Sequence, residues 1–161
     1  MESAVDNIAV IIPSRGRPEE LAETLFSIQR QTVIPQDIIL AVTSEQDISP
    51  DVLKADNVTL CIGEAGGTAK RNRAIRALHE GIEIVIFLDD DVELARNYIE
   101  VVRSVFAQRP DLVALNGNVL ANGGVDRLRA RQIIEQHFRS TPEGNSILQL
   151  GPGMHGCTDA A

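Results

Sequence analysis

Asp89, Asp90 and Asp91 stand side by side at the end of the apolar run IVIFL, residues 84–88. Three adjacent carboxylates repel one another, so their clustering calls for a counter-charge. Carboxylates are hard oxygen ligands for Mg2+ or Mn2+, and magnesium is usually held by one or two of them together with waters and substrate phosphates. Two aspartates one residue apart, where a strand opens into a loop, can divide that work. One grips the metal, and the other accepts hydrogen bonds from a sugar hydroxyl or a metal-bound water. The plainer alternative is an acidic loop whose last members cap the helix that follows.

Two further segments carry charge near predicted strand ends. In PSRGRPEE, residues 13–20, a serine, two arginines and a glycine lie between a strand and a helix. Backbone N–H groups and arginines at such a crossing favour an anion or a nucleotide base, although a simple turn with solvated arginines has the same composition. In GEAGGTAKRNRAIR, residues 63–76, the glycines let backbone approach a ligand, and Lys70, Arg71, Arg73 and Arg76 are four of the chain's 15 basic residues. The spacing is neither that of a Walker A loop nor that of a dinucleotide fingerprint. Four cations this close on a helix cannot share one face, so Arg73 and Arg76 read as solvated surface. Lys70 and Arg71 lie in the first turn, where cations oppose the helix dipole and an anionic ligand would explain them.

The elements that must position these residues alternate. IAVII (8–12) is a short continuous apolar run, as expected of a strand buried on both faces, and IILAV (38–42), VTLCI (58–62) and IVIFL (84–88) read as the second, third and fourth strands. LVAL (112–115) reads as a fifth strand, bent near Gly117. Between them, Pro18, Glu19 and Glu20 open a helix with an apolar stripe at Leu21, Leu25 and Ile28. A second helix is expected over 68–80 with Gly81 as its stop, and a third carries Tyr98, Val102 and Val105 before Pro110. Strands alternating with helices imply an α/β fold, a largely parallel sheet flanked by helices on both faces. In such sheets ligands bind outside the carboxyl ends of the strands, which is where the aspartates fall. Beyond Leu120 the pattern weakens to a turn at 122–124, a helix over 126–139 with Leu128, Ile134 and Phe138 as apolar contacts, and a short strand candidate ILQL at 147–150.

Size and charge narrow the options. The chain has 161 residues, 43% hydrophobic, enough for a sizeable core. Its formal charge of −8 argues against sequence-independent attraction to nucleic acid or to anionic lipid across the whole surface. Cys61 and Cys157 are too few for a disulfide framework or a zinc site and read as reduced thiols. No run approaches the roughly 20 apolar residues of an integral membrane segment, and the start MESAVDN lacks the basic region of a secretory signal, so a cytoplasmic location is expected.

Taken in order, VIIPSRGRPEEL, GGTAKRNRAI and FLDDDVEL resemble glycosyltransferase family 2, enzymes of the GT-A fold that use nucleotide-diphospho-sugar donors. The resemblance covers about residues 8–120. It implies a Rossmann-like donor-binding domain over 1–121, followed by a C-terminal extension over 122–161 that begins a truncated acceptor half. The acidic cluster corresponds to the family's DxD motif. Asp89 and Asp91 are then ligands of Mn2+ or Mg2+, with Asp89 and Asp90 near the ribose and the metal-bound waters. Pro13, Ser14 and Arg15 match the family's first loop beside the base, and Arg71 matches the arginine of the family's A-R-N signature that approaches base or phosphates, with Lys70 next to it as a further nucleotide-binding candidate. Many members end the second strand with an aspartate pair, but here the chain reads AVTSEQD, leaving Thr43, Ser44 or Glu45 to take that part. The implied reaction is inverting transfer to an unknown glycan, lipid or small-molecule acceptor, with a carboxylate base that these residues do not identify. A homo-oligomer is compatible with that reading. The alternatives are a non-catalytic nucleotide- or protein-binding module of the same fold and, ranked last, a metal-dependent phosphotransferase, whose acidic motif would normally follow the first strand.

Overall fold

A computed structural model describes residues 7–121 and 126–140. Two compact units divide the chain, Met1–Gln108 and Arg109–Ala161. In the first, β1 (Ile8–Pro13), α1 (Pro18–Gln29), β2 (Asp37–Val42), β3 (Val58–Ile62), α2 (Gly67–Arg76), β4 (Ile84–Phe87) and α3 (Tyr98–Gln108) follow one another, with short 3-10 turns at Glu45–Asp47 and Pro50–Lys54. The four strands form one parallel sheet in the order β3-β2-β1-β4.

The core is where the continuous apolar runs meet. Ile11, Ile39 and Ala41 pack with Ala74 of α2, and Cys61, Ala77, Leu78 and Val85 close around them. Strand alternation puts Val10, Ile12, Ile38, Leu40 and Val42 on the opposite face. These are equally buried, and Leu21, Leu25 and Ile28 of α1 with Ile99 and Val102 of α3 are the buried helical side chains that remain to cover them. Both faces of β1 and β2 are therefore shielded, which is why the runs show no alternation with polar residues.

Strand order fixes where a ligand can enter. From β1 the chain proceeds outward through β2 to β3, then crosses by way of α2 to lay β4 on the other side of β1. The carboxyl ends of β1 and β4 thus flank the point at which the winding reverses, the usual crevice for ligands in open α/β sheets.

Three expectations about elements are corrected. Residues 112–115 form no strand, and Val113 is 93% exposed, so no burial is there to reward extended pairing. Helix α2 ends at Arg76 rather than Glu80, because Ala77 and Leu78 turn in to join the core cluster. The helix expected over 126–139 is present as α4 (Arg127–Ser140) in the second unit, begun by Asp126, whose carboxylate accepts the Arg129 N–H at 2.9 Å, but Leu128 is exposed. The turn at 122–124, ILQL and Cys157 lie outside the described residues. Cys61 is a free, half-buried thiol whose burial pushes its pKa up.

Gly81 lies within the connection from α2 to β4 at φ +91°, a region that side chains rarely adopt, although a Cβ there would meet nothing closer than Asn7 Nδ2 at 3.9 Å. Strain alone should therefore set the cost of Gly81→Ala, about 1 kcal/mol. Thermal denaturation should show a drop of roughly 2–4 °C.

Candidate functional site

The first loop is built from β1 outward. Pro13 is the last residue of β1, and Ser14 N–H continues the ladder by donating to the Ala41 carbonyl at 3.0 Å. The buried Ser14 hydroxyl then donates to Asp90 Oδ2 at 2.6 Å, crossing from the end of β1 to the end of β4. Gly16 turns the chain at φ +67°, and its N–H donates to Asp47 Oδ1 at 2.7 Å. Arg15 is exposed on the same turn. Arg17 closes the loop by placing Nη1 3.2 Å from Asp90 Oδ1 and 3.1 Å from Asp91 Oδ2. Asp90 and then Asp91 accordingly hold the Arg17 guanidinium above its ordinary pKa.

Three acids can be neighbours at the end of β4 because Asp89 turns to Arg71 while Asp90 and Asp91 share Arg17. Asp90 is buried and faces Ser14 and Arg17. The Asp89 side chain is 71% exposed and meets Arg71 Nη2 at 3.3 Å. That of Asp91 is 56% exposed and shares Arg17. Two guanidiniums thus offset two of the three negative charges of the cluster. Pairs as open to water as Arg17–Asp91 and Arg71–Asp89 are weak, so an ion or a phosphate can exchange with them at small cost.

Lys70 lies in the first turn of α2, yet it is buried, with Nζ donating to the Ser14 carbonyl at 2.6 Å. Burial pushes its pKa down, Asp47 pulls it up, and nearby Arg15 adds to the lowering. Its place against the dipole is therefore explained partly by the first loop itself. Arg73, expected at the solvated surface, is half-buried instead. Its Nη2 donates to the Val42 carbonyl at 3.1 Å, and its guanidinium lies where a Cβ on Gly63 would come within 2.7 Å of Nη1. The absence of a side chain at Gly63 is what lets this arginine tie α2 to the ends of β2 and β3.

Asp47 is a further residue of the site. Glu45 is exposed on the 3-10 turn, whereas Asp47, two residues on, folds back under the loop and is buried. Besides Gly16 N–H, its carboxylate accepts Thr43 N–H at 2.8 Å, Thr43 Oγ1–H at 2.5 Å and Ser44 N–H at 3.0 Å. Burial works to raise its pKa, but the hydroxyl of Thr43 and the N–H groups of Gly16, Thr43 and Ser44 prevail and hold it at about 2. The signal was present in the spacing S-E-Q-D, residues 44–47, in which an acid three positions after a serine can turn back onto the serine's N–H.

Pro13, Ser14, Arg15, Lys70, Arg71, Asp89, Asp90 and Asp91 are thus gathered at the carboxyl ends of β1 and β4 and the entrance to α2, with Arg17 and Asp47 added and Glu45 pointing to solvent. Among the described residues, no three His, Cys, Asp or Glu side chains converge as a ready-made metal cage. No helix among them is long and apolar enough to cross a membrane.

Comparison with known proteins agrees with this architecture. A glucosyl-dolichyl phosphate glucuronosyltransferase from Haloferax volcanii is 27% identical over 119 residues, covering 71% of this chain and 38% of that protein. The chain therefore spans well under half the length of that relative. The crystal structure of TarS from S. aureus superposes with a TM-score of 0.57 at 15% identity, over 75% of this chain and 23% of that one, a likeness of fold. The parallel sheet with its helices is accordingly Rossmann-like, of the GT-A type. The pattern that defines Glycosyl transferase family 2 matches residues 9–160, nearly the whole sequence, and the chain belongs to that family.

Proposed function

We propose that this chain binds a nucleotide-diphospho-sugar at the carboxyl ends of β1 and β4 and serves sugar transfer from it to an acceptor. The observation that carries this reading is the placement of Asp89, Asp90 and Asp91 at the reversal point of the sheet, paired with arginines that exposed geometry leaves exchangeable. The donor set suits Mn2+ or Mg2+. Asp89 and Asp91 offer exposed carboxylate oxygens, and the rest of such a cation's shell normally comes from water and substrate phosphates. In this reading Asp91 is the principal metal ligand, with Asp89 beside it. A bound divalent cation would supply stabilisation of the negative charge on the departing diphosphate.

The protein's own residues do the remaining work. Asp90, fixed by Ser14 and Arg17, orients the acidic turn. Arg17, released from Asp91, and Arg71, released from Asp89, offer guanidiniums to the diphosphate oxygens, for which their planar forks are suited. Lys70 holds the Ser14 carbonyl, and so holds Pro13, Ser14 and Arg15 as the wall beside the base. Glu45, exposed at the rim, is left as a contact to base or ribose. Residues 122–161 begin the acceptor side. The Haloferax relative's name points to a glucuronosyl donor and a lipid-phosphate-linked sugar as the first pair to try, and a cytoplasmic location belongs to the same reading.

Incubation of the protein with a panel of nucleotide sugars, including a nucleoside-diphosphate glucuronic acid, and a polyprenyl-phosphate glycan tests it. Release of a nucleoside diphosphate that depends on divalent cation and is accelerated by acceptor is the expected outcome. Saturable binding with no diphosphate released would make the chain a donor-binding module without turnover. The absence of any nucleotide binding would overturn the proposal.

A further inference from the structure

Helix α1 and the turn that follows it carry a second stripe beside the apolar one. Thr24, Ser27 and Gln31, at helical spacing, are all buried. Buried polar groups need partners, and these find them in the irregular stretch that follows the acids. The Thr24 hydroxyl lies 2.8 Å from the Asp90 carbonyl and 3.1 Å from the Val92 carbonyl. Ser27 Oγ accepts the Leu94 N–H at 2.8 Å. Gln31 donates Nε2 to the Ala95 carbonyl at 2.7 Å and accepts the Ile99 N–H on Oε1 at 3.1 Å. Residues 88–97 belong to no strand or helix, so side chains of α1 satisfy backbone groups that a sheet would otherwise satisfy.

The Thr24 hydroxyl, with one proton to share, sits between the Asp90 carbonyl, in the peptide that precedes Asp91, and the Val92 carbonyl, one residue beyond it. Contact with both restrains the short stretch of backbone that contains Asp91 and hence the direction in which its carboxylate leaves the chain. Ser27 and Gln31 extend the hold along the same segment, so that it runs beside α1 without a ladder of its own. Helix α1 begins directly after the first loop, and the same rigid element therefore sets Arg17 at one end and the aim of Asp91 along its side.

We infer that Thr24 is a positioning residue for Asp91, and that Ser27 and Gln31 anchor the segment on which Thr24 acts. The inference rests on the proposed role of Asp91 in holding a cation with a nucleoside diphosphate, and adds how that carboxylate is aimed. Orienting partners of metal-binding carboxylates typically change affinity by 10–100-fold when removed.

The test compares wild type with Thr24→Val, which keeps the shape and removes the hydroxyl, and Thr24→Ser, which keeps the hydroxyl. Calorimetric titration with uridine and guanosine diphosphates in the presence of Mn2+ gives Kd, and amide hydrogen exchange over 90–99 reports whether the segment is held. Thr24→Val is expected to bind at least about tenfold more weakly, with faster exchange confined to that segment, while Thr24→Ser stays near wild type. Gln31→Met, run in parallel, is expected to weaken binding by a smaller factor and provides the comparison if Thr24→Val does not fold. Unchanged Kd in the folded variants despite faster exchange would make the contacts merely structural and overturn the inference while leaving the role of Asp91 intact. Equal weakening in Thr24→Val and Thr24→Ser would overturn it as well, since the hydroxyl would not be the cause. A wild type that binds neither of these nor any other nucleoside diphosphate or nucleotide sugar would remove the proposed function itself, and this inference with it.

Discussion

Asp47→Ala should lose at least about 3 kcal/mol of stability, because one substitution strips the acceptor from three backbone N–H groups and a hydroxyl in a partly buried loop. For a domain of this size that corresponds to a fall in Tm of roughly 6–12 °C. Asp47→Asn should fall between, since it keeps one acceptor oxygen but turns an amide NH2 toward donors. The loss has a pH signature. The folded carboxyl is held at about 2 against an ordinary 3.8, so its contribution is complete above the ordinary value and disappears as pH falls through the folded one. The difference in unfolding free energy between wild type and Asp47→Ala should therefore shrink by about 2 kcal/mol between about pH 5 and about pH 2. Urea titrations of both proteins across that range measure it, and a difference independent of pH would mean that the carboxylate is not what the loop needs.

Asp91→Ala has the larger functional effect, and its sign separates two accounts of the acidic cluster. If Asp91 merely contributes negative charge near the donor site, removing it lessens repulsion and frees Arg17, so a nucleoside diphosphate should bind more tightly. If Asp91 holds the cation that bridges to the diphosphate, binding in the presence of Mn2+ should weaken at least about 100-fold, near 3 kcal/mol. Binding without any divalent cation should then be unchanged or slightly improved. Titration calorimetry on both proteins, with and without Mn2+, distinguishes these outcomes directly.

Much of the fold is legible in composition alone. The runs at 8–12, 38–42, 58–62 and 84–88 contain few polar residues, and each supplies a parallel strand; β1 and β2 are buried on both faces, whereas β3 and β4 at the sheet edges leave Ile62 and Phe87 exposed. Pro18 with Glu19 and Glu20 marks the start of α1 because proline and acids suit the first turn. The run at 112–115 has the same composition and yet is no strand, since composition reports what burial would reward and not whether a neighbouring strand is there to provide it.

The site was legible where charge marked it and hidden where polar groups act on backbone. The acids and the arginines stand out because clustered charge is costly without a purpose. Asp47 did not, since a search at the end of the second strand finds no acid there, and the turn that brings one back is a local closure over four residues. Thr24, Ser27 and Gln31 were invisible to a reading built on apolar periodicity. Their burial depends on an irregular segment more than 60 positions away in sequence, with contacts such as Thr24 to Asp90 at a separation of 66. Arg73 lies inside rather than at the solvated surface for a related reason, because only the missing Cβ of Gly63 makes room for its guanidinium.

The claim on which the functional account depends is that Asp91 exchanges Arg17 for a cation shared with a diphosphate. Anomalous diffraction from crystals grown with Mn2+ and a bound nucleoside diphosphate tests it most directly. The expected result is a manganese peak about 2.1 Å from an Asp91 carboxylate oxygen and in contact with the diphosphate, with Arg17 turned toward phosphate oxygen. A nucleotide seated at the ends of β1 and β4 with no manganese beside Asp91, and Arg17 still paired to it, would contradict the account.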